Sequence, residues 1–291
     1  MSTLVKAWTA ARDRLKAAGL DSPAIDARLL VEAATGATRA DILSDPYRAL
    51  EPDHLDALEG YLERRARREP ISHILGRKGF WTLMLGVTPA VLTPRPETEL
   101  VVETALKAFA EAEAFRVLDL GVGSGAILLA IFAERPAATG LGVDASEEAL
   151  AVARENAANL GLAARAALMR GDWTQGLADS GFELVVCNPP YIRSGEIAGL
   201  DPEVRDHEPR LALDGGPDGL DAYRRLAGEI LRVLKPGGRF VLETGAGQAG
   251  AVRGLMQAAG AAELEVLDDL SGHARVVAGC KKALGIAADN R

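Results

Sequence analysis

Cysteine and histidine are scarce in this chain: among 291 residues there are two of the first and four of the second. Cys187 and Cys280 stand far apart and lack metal-ligand spacing, so they read as core thiols in a reducing compartment. His54, His73, His207 and His273 form no His-x-x-x-His pair, so no zinc or other metal site is expected and surface or capping roles are the default. An excess of positive charge is also missing. The net charge of −8 argues against a broad duplex-binding face, although a local patch stays compatible with it, and no direct nucleic-acid contact is expected. No apolar run approaches the roughly eighteen residues needed to span a bilayer. Met1 to Ala18 is an amphipathic, charged segment and not a signal peptide, so a cytoplasmic location away from membranes is expected.

What is present is a 48% apolar composition, enough to bury a sizeable core in one large or two modest domains. The chain is organised around Val185-Val186-Cys187-Asn188-Pro189-Pro190-Tyr191-Ile192. An apolar, β-favouring run there stops at an amide, two prolines and an aromatic, which predicts a buried parallel strand opening into a stiff loop. In an open α/β sheet, ligands sit at that end of the strand. Proline fixes its own φ and pushes the preceding residue to extended geometry, so the loop presents acceptors. The Asn188 side-chain oxygen and a neighbouring carbonyl can grip both hydrogens of a planar NH2 group, with Tyr191 stacked on its plane. A primary amide or an exocyclic base amine fits such a grip; a merely stiff turn is the plain alternative.

Up to about Arg68 the chain reads as helices only. Apolar residues recur at three and four spacing in Leu4, Trp8, Ala11 and Leu15 and again in Ile25, Leu29, Leu30 and Ala33. Asp21-Ser22-Pro23 supplies a helix start, Thr38-Arg39-Ala40-Asp41 opens a short helix, and Pro52 to Arg68 forms a fourth. The arginine cluster Arg64 to Arg68 reads as a solvated, dipole-matched helix end in preference to a nucleic-acid patch. Residues 1–69 are thus a helical domain, and 70–92 a β-hairpin connector with strands Phe80 to Leu85 and Val87 to Leu92 joined near Gly86. A helix is expected from Pro96 to about Ala114. Arg95, held between Pro94 and Pro96, can guide a polar substrate or simply pair with Glu97 or Glu99.

Residues 93–291 alternate strand and helix, which predicts a mainly parallel, doubly wound α/β sheet. Strands are expected at 115–120, 139–143, 166–170, 182–187, 239–243, 264–267 and 274–280, the last two as an antiparallel hairpin at the edge. A Lys235-Pro236-Gly237-Gly238 turn should precede the fifth strand, and Gly285 to Arg291 should be a frayed tail. Asp119-Leu120-Gly121-Val122-Gly123-Ser124-Gly125 follows the first strand and opens a helix. Read with Ala126 it also fits the dinucleotide fingerprint, so the glycines alone do not choose between NAD and another nucleoside cofactor. Asp144 can accept from ribose hydroxyls or cap the next helix. Asp119 places a carboxylate where an ammonium would be met and a pyrophosphate repelled. Asp172 can accept from an adenine amine, and Trp173 can pack on the ring or fill the core. Together these residues favour S-adenosylmethionine.

With those segments assembled, the chain resembles the HemK-type (PrmC) peptide chain release factor glutamine methyltransferases. The resemblance also rests on Pro70-Ile71-Ser72-His73, Leu92-Thr93-Pro94-Arg95-Pro96-Glu97-Thr98-Glu99, Glu208-Pro209, Leu213-Asp214-Gly215-Gly216, Asp218-Gly219-Leu220, Glu243-Thr244-Gly245 and Gln248. It implies a Rossmann-like, mostly parallel seven-stranded methyltransferase domain that methylates the side-chain amide of the glutamine in the Gly-Gly-Gln loop of class-1 release factors. Asp119, Gly121, Val122, Gly123, Ser124, Gly125, Asp144, Asp172, Trp173 and Asn188 would then hold the cofactor. Asn188, Pro189, Pro190 and Tyr191, with Arg95, would hold the glutamine, and the N-terminal helices would recognise the release factor. Competing readings are an adenine methyltransferase using the same loop, a glutamine methyltransferase for another protein such as a ribosomal one, and a non-enzymatic module that has kept the fold.

Overall fold

The computed structural model describes residues 2–283; the tail expected from Gly285 onward lies outside the described residues. Chain contacts separate two compact units. One takes the residues up to Arg77 together with Asp201–His207, the other Lys78–Leu200 with the residues from Glu208 onward.

The first unit is built from α1 (Leu4–Ala17), α2 (Pro23–Thr35), α3 (Arg39–Ser44), α4 (Pro52–Ala66) and α5 (Ile71–Leu75). Leu4, Leu15, Leu30, Val31, Leu58 and Leu62 form its core; the inward face of α2 is Ala27, Leu30 and Val31, and Ile25, expected on that face, is exposed. Thr38 and Asp41 close a reciprocal capping box at the start of α3. The arginine cluster differs from the solvated end its charge suggests. Arg65 is buried, its Nε donates to Asp26 across 2.7 Å, and its Nη1 donates to Glu203 across 3.0 Å. Arg64 forks onto Glu69. Asp26 and Glu203, far away in sequence, claim Arg65, and no local pattern announces them.

The second unit opens at Lys78 within β1 (Arg77–Phe80), which forms a two-stranded sheet with β2 (Leu83–Gly86). The hairpin expected over 80–92 is therefore shifted toward the amino end. Its turn falls at Trp81-Thr82, where Trp81 adopts φ +54° and its backbone N–H donates to Glu99 Oε1 across 2.8 Å. Pro96–Thr98 is a single 3-10 turn, followed by α6 (Glu99–Lys107), which stops seven residues short of Ala114.

The sheet then runs β3 (Arg116–Leu120), α7 (Ala126–Glu134), β4 (Thr139–Asp144), α8 (Glu147–Asn159), β5 (Ala166–Arg170) and β6 (Phe182–Cys187). It continues, after the short α9 (Pro202–Arg205), with α10 (Asp221–Val233), β7 (Leu234–Glu243), α11 (Ala249–Ala258), β8 (Ala262–Asp268) and β9 (Ala274–Cys280). Strand order is β5-β4-β3-β6-β7-β9-β8, parallel except for β9, which lies antiparallel between β7 and β8. The expected turn at Lys235–Gly238 is a bulge inside β7, whose register jumps from Leu234 opposite Phe182 to Arg239 opposite Leu184.

Period-two alternation splits the strand residues between two faces. Val117, Leu184 and Val186 pack with α6, α7 and α8, whereas Leu118, Leu120, Val185 and Cys187 pack with α10 and α11. Both cysteines are buried free thiols. Strand order reverses between β3 and β6, and that switch point places a crevice at their carboxyl ends.

Candidate active site

The crevice holds a cavity of about 570 Å³. Its walls come from the Gly121–Ser124 turn, Asp144 to Ser146, Gly171 to Trp173, Asn188 and Pro190, and Pro94, Arg95 and Thr98. All of these follow strand ends or precede α6.

One half is a cradle of backbone. Gly121, Gly123 and Gly125 adopt φ of +75°, +52° and +84°. A side chain at Gly125 would also stand 2.9 Å from Leu129 Cδ1, so the turn into α7 needs glycine on both counts. The Gly121 and Val122 N–H groups donate to the Val143 carbonyl across 2.9 and 3.0 Å, latching the turn to β4. Ser124 is held from behind, its carbonyl accepting from buried Asn156 across 2.8 Å, while the same amide pairs with both backbone groups of Gly86.

Asp144 ties two loops together at the cavity. Its Oδ1 accepts from Ser146 N–H at the start of α8, and its Oδ2 accepts from Gly123 N–H, each across 2.9 Å, while the residue lines the cavity. Trp173 likewise combines a packing role with a cavity wall. Its φ of +55° turns the half-buried indole toward Gly121. Asp172 has one oxygen engaged, since Oδ2 accepts from Arg225 across 2.8 Å.

Asp119 is not on the cavity wall. It is 1% exposed, its Oδ2 accepts from Leu128 N–H across 3.2 Å, and its Oδ1 has no hydrogen-bond partner. Burial, with the Asp144 charge adding to it, pushes the carboxyl up to about 7 against the pull of that N–H. A buried carboxylate oxygen without a donor fits a cationic ligand group and would repel a pyrophosphate. Gly121, Gly123 and Asp144 line the cavity, where open backbone and a carboxylate suit a nucleoside.

The other half is the proline loop. Asn188 Nδ2 donates to Thr98 Oγ1 across 3.2 Å, and both residues line the cavity. Pro190 lines it too, whereas Pro189 is buried and serves to stiffen the chain. Tyr191 is not among the residues lining the cavity. Its ring packs on the sheet core, its hydroxyl lies 3.5 Å from Glu243 Oε1, and burial pushes the phenol up to about 12. Gln248 clamps this residue, donating to the Tyr191 carbonyl across 2.9 Å while accepting from Gly245 N–H. The Ile192 carbonyl is taken by Gly215 N–H. The Tyr191 and Ile192 carbonyls are thus both taken within the protein.

Arg95 lines the cavity, but neither Glu97 nor Glu99 is its partner. Its Nη2 donates to Glu208 Oε2 across 2.7 Å, and the Glu208 side chain is 1% exposed. Thr98, Glu208 and Glu243 belong to segments that carry the resemblance, but their contacts at the site emerge only in three dimensions. For Glu243 a signal existed, since β7 ends in an acid as β4 does; for Thr98 and Glu208 the partners are 90 and 113 residues away.

Residues 6–76 match the family described as PrmC N-terminal domain, and residues 111–279 match a methyltransferase domain. The chain is 66% identical over 282 residues to the release factor glutamine methyltransferase of Caulobacter vibrioides, covering 97% of this chain and 98% of that one. It is 46% identical to that of Rhodospirillum rubrum, over 94% and 83% of the two chains. A solved methyltransferase from Pyrococcus furiosus shares the fold with a TM-score of 0.53 at 17% identity, over 76% of this chain and 98% of that one.

Proposed function

The chain belongs to the release factor glutamine methyltransferase family, and on that footing we propose that it methylates a glutamine of class-1 peptide chain release factors from S-adenosylmethionine. The target is the side-chain amide nitrogen of the Gly-Gly-Gln loop glutamine. The observation that carries the proposal is the placing of Asn188, with its Nδ2 engaged by Thr98, in the same cavity as the glycine turn.

Gly121 to Gly125, Asp144, Asp172 and Trp173 are the residues that would hold the cofactor, with Asp119 answering its ammonium. When bound, S-adenosylmethionine supplies a methyl group on a sulfonium, an electrophile that needs only a well-aimed nucleophile. An amide nitrogen is a poor one because its lone pair is delocalised into the carbonyl. Asn188 Oδ1 and the adjacent carbonyl would accept both N–H groups, fixing the nitrogen in line and favouring the tetrahedral geometry it approaches. These acceptors also stabilise the positive charge that develops on that nitrogen, and one of its protons leaves once it is cationic, so no strong base is required. Arg95 at the rim, neutralised by Glu208, would guide the polar peptide. We assign residues 1–69 to release-factor recognition, 70–92 to the connection and 93–291 to catalysis. Crosslinking of the full chain to a release factor tests the first, and crosslinks that avoid residues 1–69 altogether would contradict it.

The direct test is mass spectrometry of a release-factor peptide containing Gly-Gly-Gln after incubation with enzyme and S-adenosylmethionine. A gain of one methyl group on the glutamine is expected; methyl label on DNA with none on the release factor would overturn the reading.

A further inference from the structure

One buried amide holds two separate stretches of the cavity wall. Asn156, on α8, is 3% exposed and is not itself among the residues lining the cavity. Its Oδ1 accepts from the Gly86 N–H across 2.7 Å, and its Nδ2 donates to the Gly86 carbonyl across 3.0 Å and to the Ser124 carbonyl across 2.8 Å. All three partners are backbone groups of fixed polarity. The orientation of the amide is therefore determined, and both of its N–H groups are used.

Each partner leads into the cavity wall by a different route. Gly86 ends β2, the second strand of the hairpin at which the chain passes from the first unit to the second. The chain leaving it runs along α8, where Val87 and Val91 pack with Ala149 and Val152, and it then presents Ala90, Val91 and Leu92 to the cavity. Ser124 belongs to the glycine turn, which borders the same cavity. The front of that turn is latched to β4 through Gly121 and Val122, and to Asp144 through Gly123. Its last peptide, leading into Gly125 at φ +84°, is fastened from behind by the Asn156 donor.

Two wall segments far apart in sequence thus share one anchor. We propose that Asn156 is a positioning residue for S-adenosylmethionine: it sets the separation between the glycine turn and the 90–92 segment, and so couples the hairpin end at Gly86 to occupancy of the cavity. This rests on the assignment of the glycine side of the cavity to S-adenosylmethionine. A cofactor held between the two segments stabilises the arrangement that Asn156 maintains. Such coupling is reciprocal, so if the Gly86 attachment favours binding, binding favours the attachment by the same factor. Removing the amide leaves a backbone N–H and two carbonyls without their partner, and both segments are then free to shift toward other ones.

Two measurements on the full chain test the proposal. Hydrogen exchange of the Gly86 N–H in the wild type should slow about fivefold or more on saturation with S-adenosylmethionine, because opening there works against binding. Calorimetry of S-adenosylmethionine with N156A should show affinity lowered about tenfold or more, whereas kcat for methyl transfer at saturating cofactor should fall by no more than about threefold. V277A truncates a buried residue packed with α10 and α11 and serves as the control for lost stability alone; it should keep the native affinity. A Gly86 N–H whose exchange does not respond to cofactor overturns the inference. So does an N156A enzyme of native affinity, an affinity loss shared equally by V277A, or a kcat loss at saturating cofactor as large as the loss of affinity. Should N156A not fold, the exchange measurement on the wild type decides alone. Failure of the wild type to bind S-adenosylmethionine instead overturns the cofactor assignment and this inference with it.

Discussion

The Arg95 guanidinium donates to the Glu208 carboxylate across 2.7 Å, with the acid almost fully buried and the base 36% exposed. Burial raises the Glu208 carboxyl above its ordinary range while Arg95 pulls it back. R95M therefore strands a buried acid. The cost should be about 2 kcal/mol, below the 3–5 kcal/mol of a fully buried pair because Arg95 reaches water. An acid whose folded pKa is raised loses stability as pH rises, so the deficit should be larger at pH 8 than at pH 5. Denaturant unfolding at the two pH values checks the sign, and R95M/E208Q should restore part of the loss.

On the proposed site, Asp119 should link cofactor affinity to pH. Its carboxyl, pushed up to about 7 by burial, is largely neutral in acid and becomes an acceptor for an ammonium only as pH rises. S-adenosylmethionine should thus bind more tightly from pH 5.5 to about 7, then weaken as its own amino group deprotonates near 8. D119N should remove the rising limb and lower affinity at pH 7 by about tenfold or more. Without cofactor the same variant should be more stable at pH 8 by about 1 kcal/mol, since an unpaired buried charge is gone. Calorimetry and thermal melts read the two effects separately.

Gly219 has φ +77°, and a Cβ there would lie 2.3 Å from the Tyr191 carbonyl oxygen and 2.4 Å from Gln248 Nε2. G219A should therefore break the Gln248 clamp on the proline loop, at a cost of about 2 kcal/mol or more. Methyl transfer should fall further than cofactor affinity does, because the clamp supports the substrate side of the cavity. Parallel kinetics and binding on the purified variant test that split.

Much of the sheet was legible because its strands are short apolar runs closed by glycine, proline or acid, as in Phe182 to Cys187 before Asn188. The glycine turn, Asp144 and Asn188 were legible for the same reason, since local sequence sets both their chemistry and their place at a strand end. The hairpin was misplaced because Gly86 looks like a turn residue, whereas the turn uses Trp81, which is tethered through its backbone N–H to Glu99 and through its indole to Glu134. The solvated reading of Arg65 failed for a related reason, since Asp26 and Glu203 lie 39 and 138 residues away. Tyr191 reads as a stacking platform in isolation, and the fold adds that its ring packs on the core while Gln248 holds its carbonyl. Partners brought by the fold decide such side chains, and their own neighbours in sequence do not.

Asn188 is the residue on which the account turns, through the grip of its side-chain oxygen on the substrate amide. The measurement is single-turnover methyl transfer to a release factor by N188A at saturating S-adenosylmethionine. A rate lowered by about a hundredfold or more, with the variant still folded and loaded, is the predicted result. A rate equal to that of the wild type would contradict it.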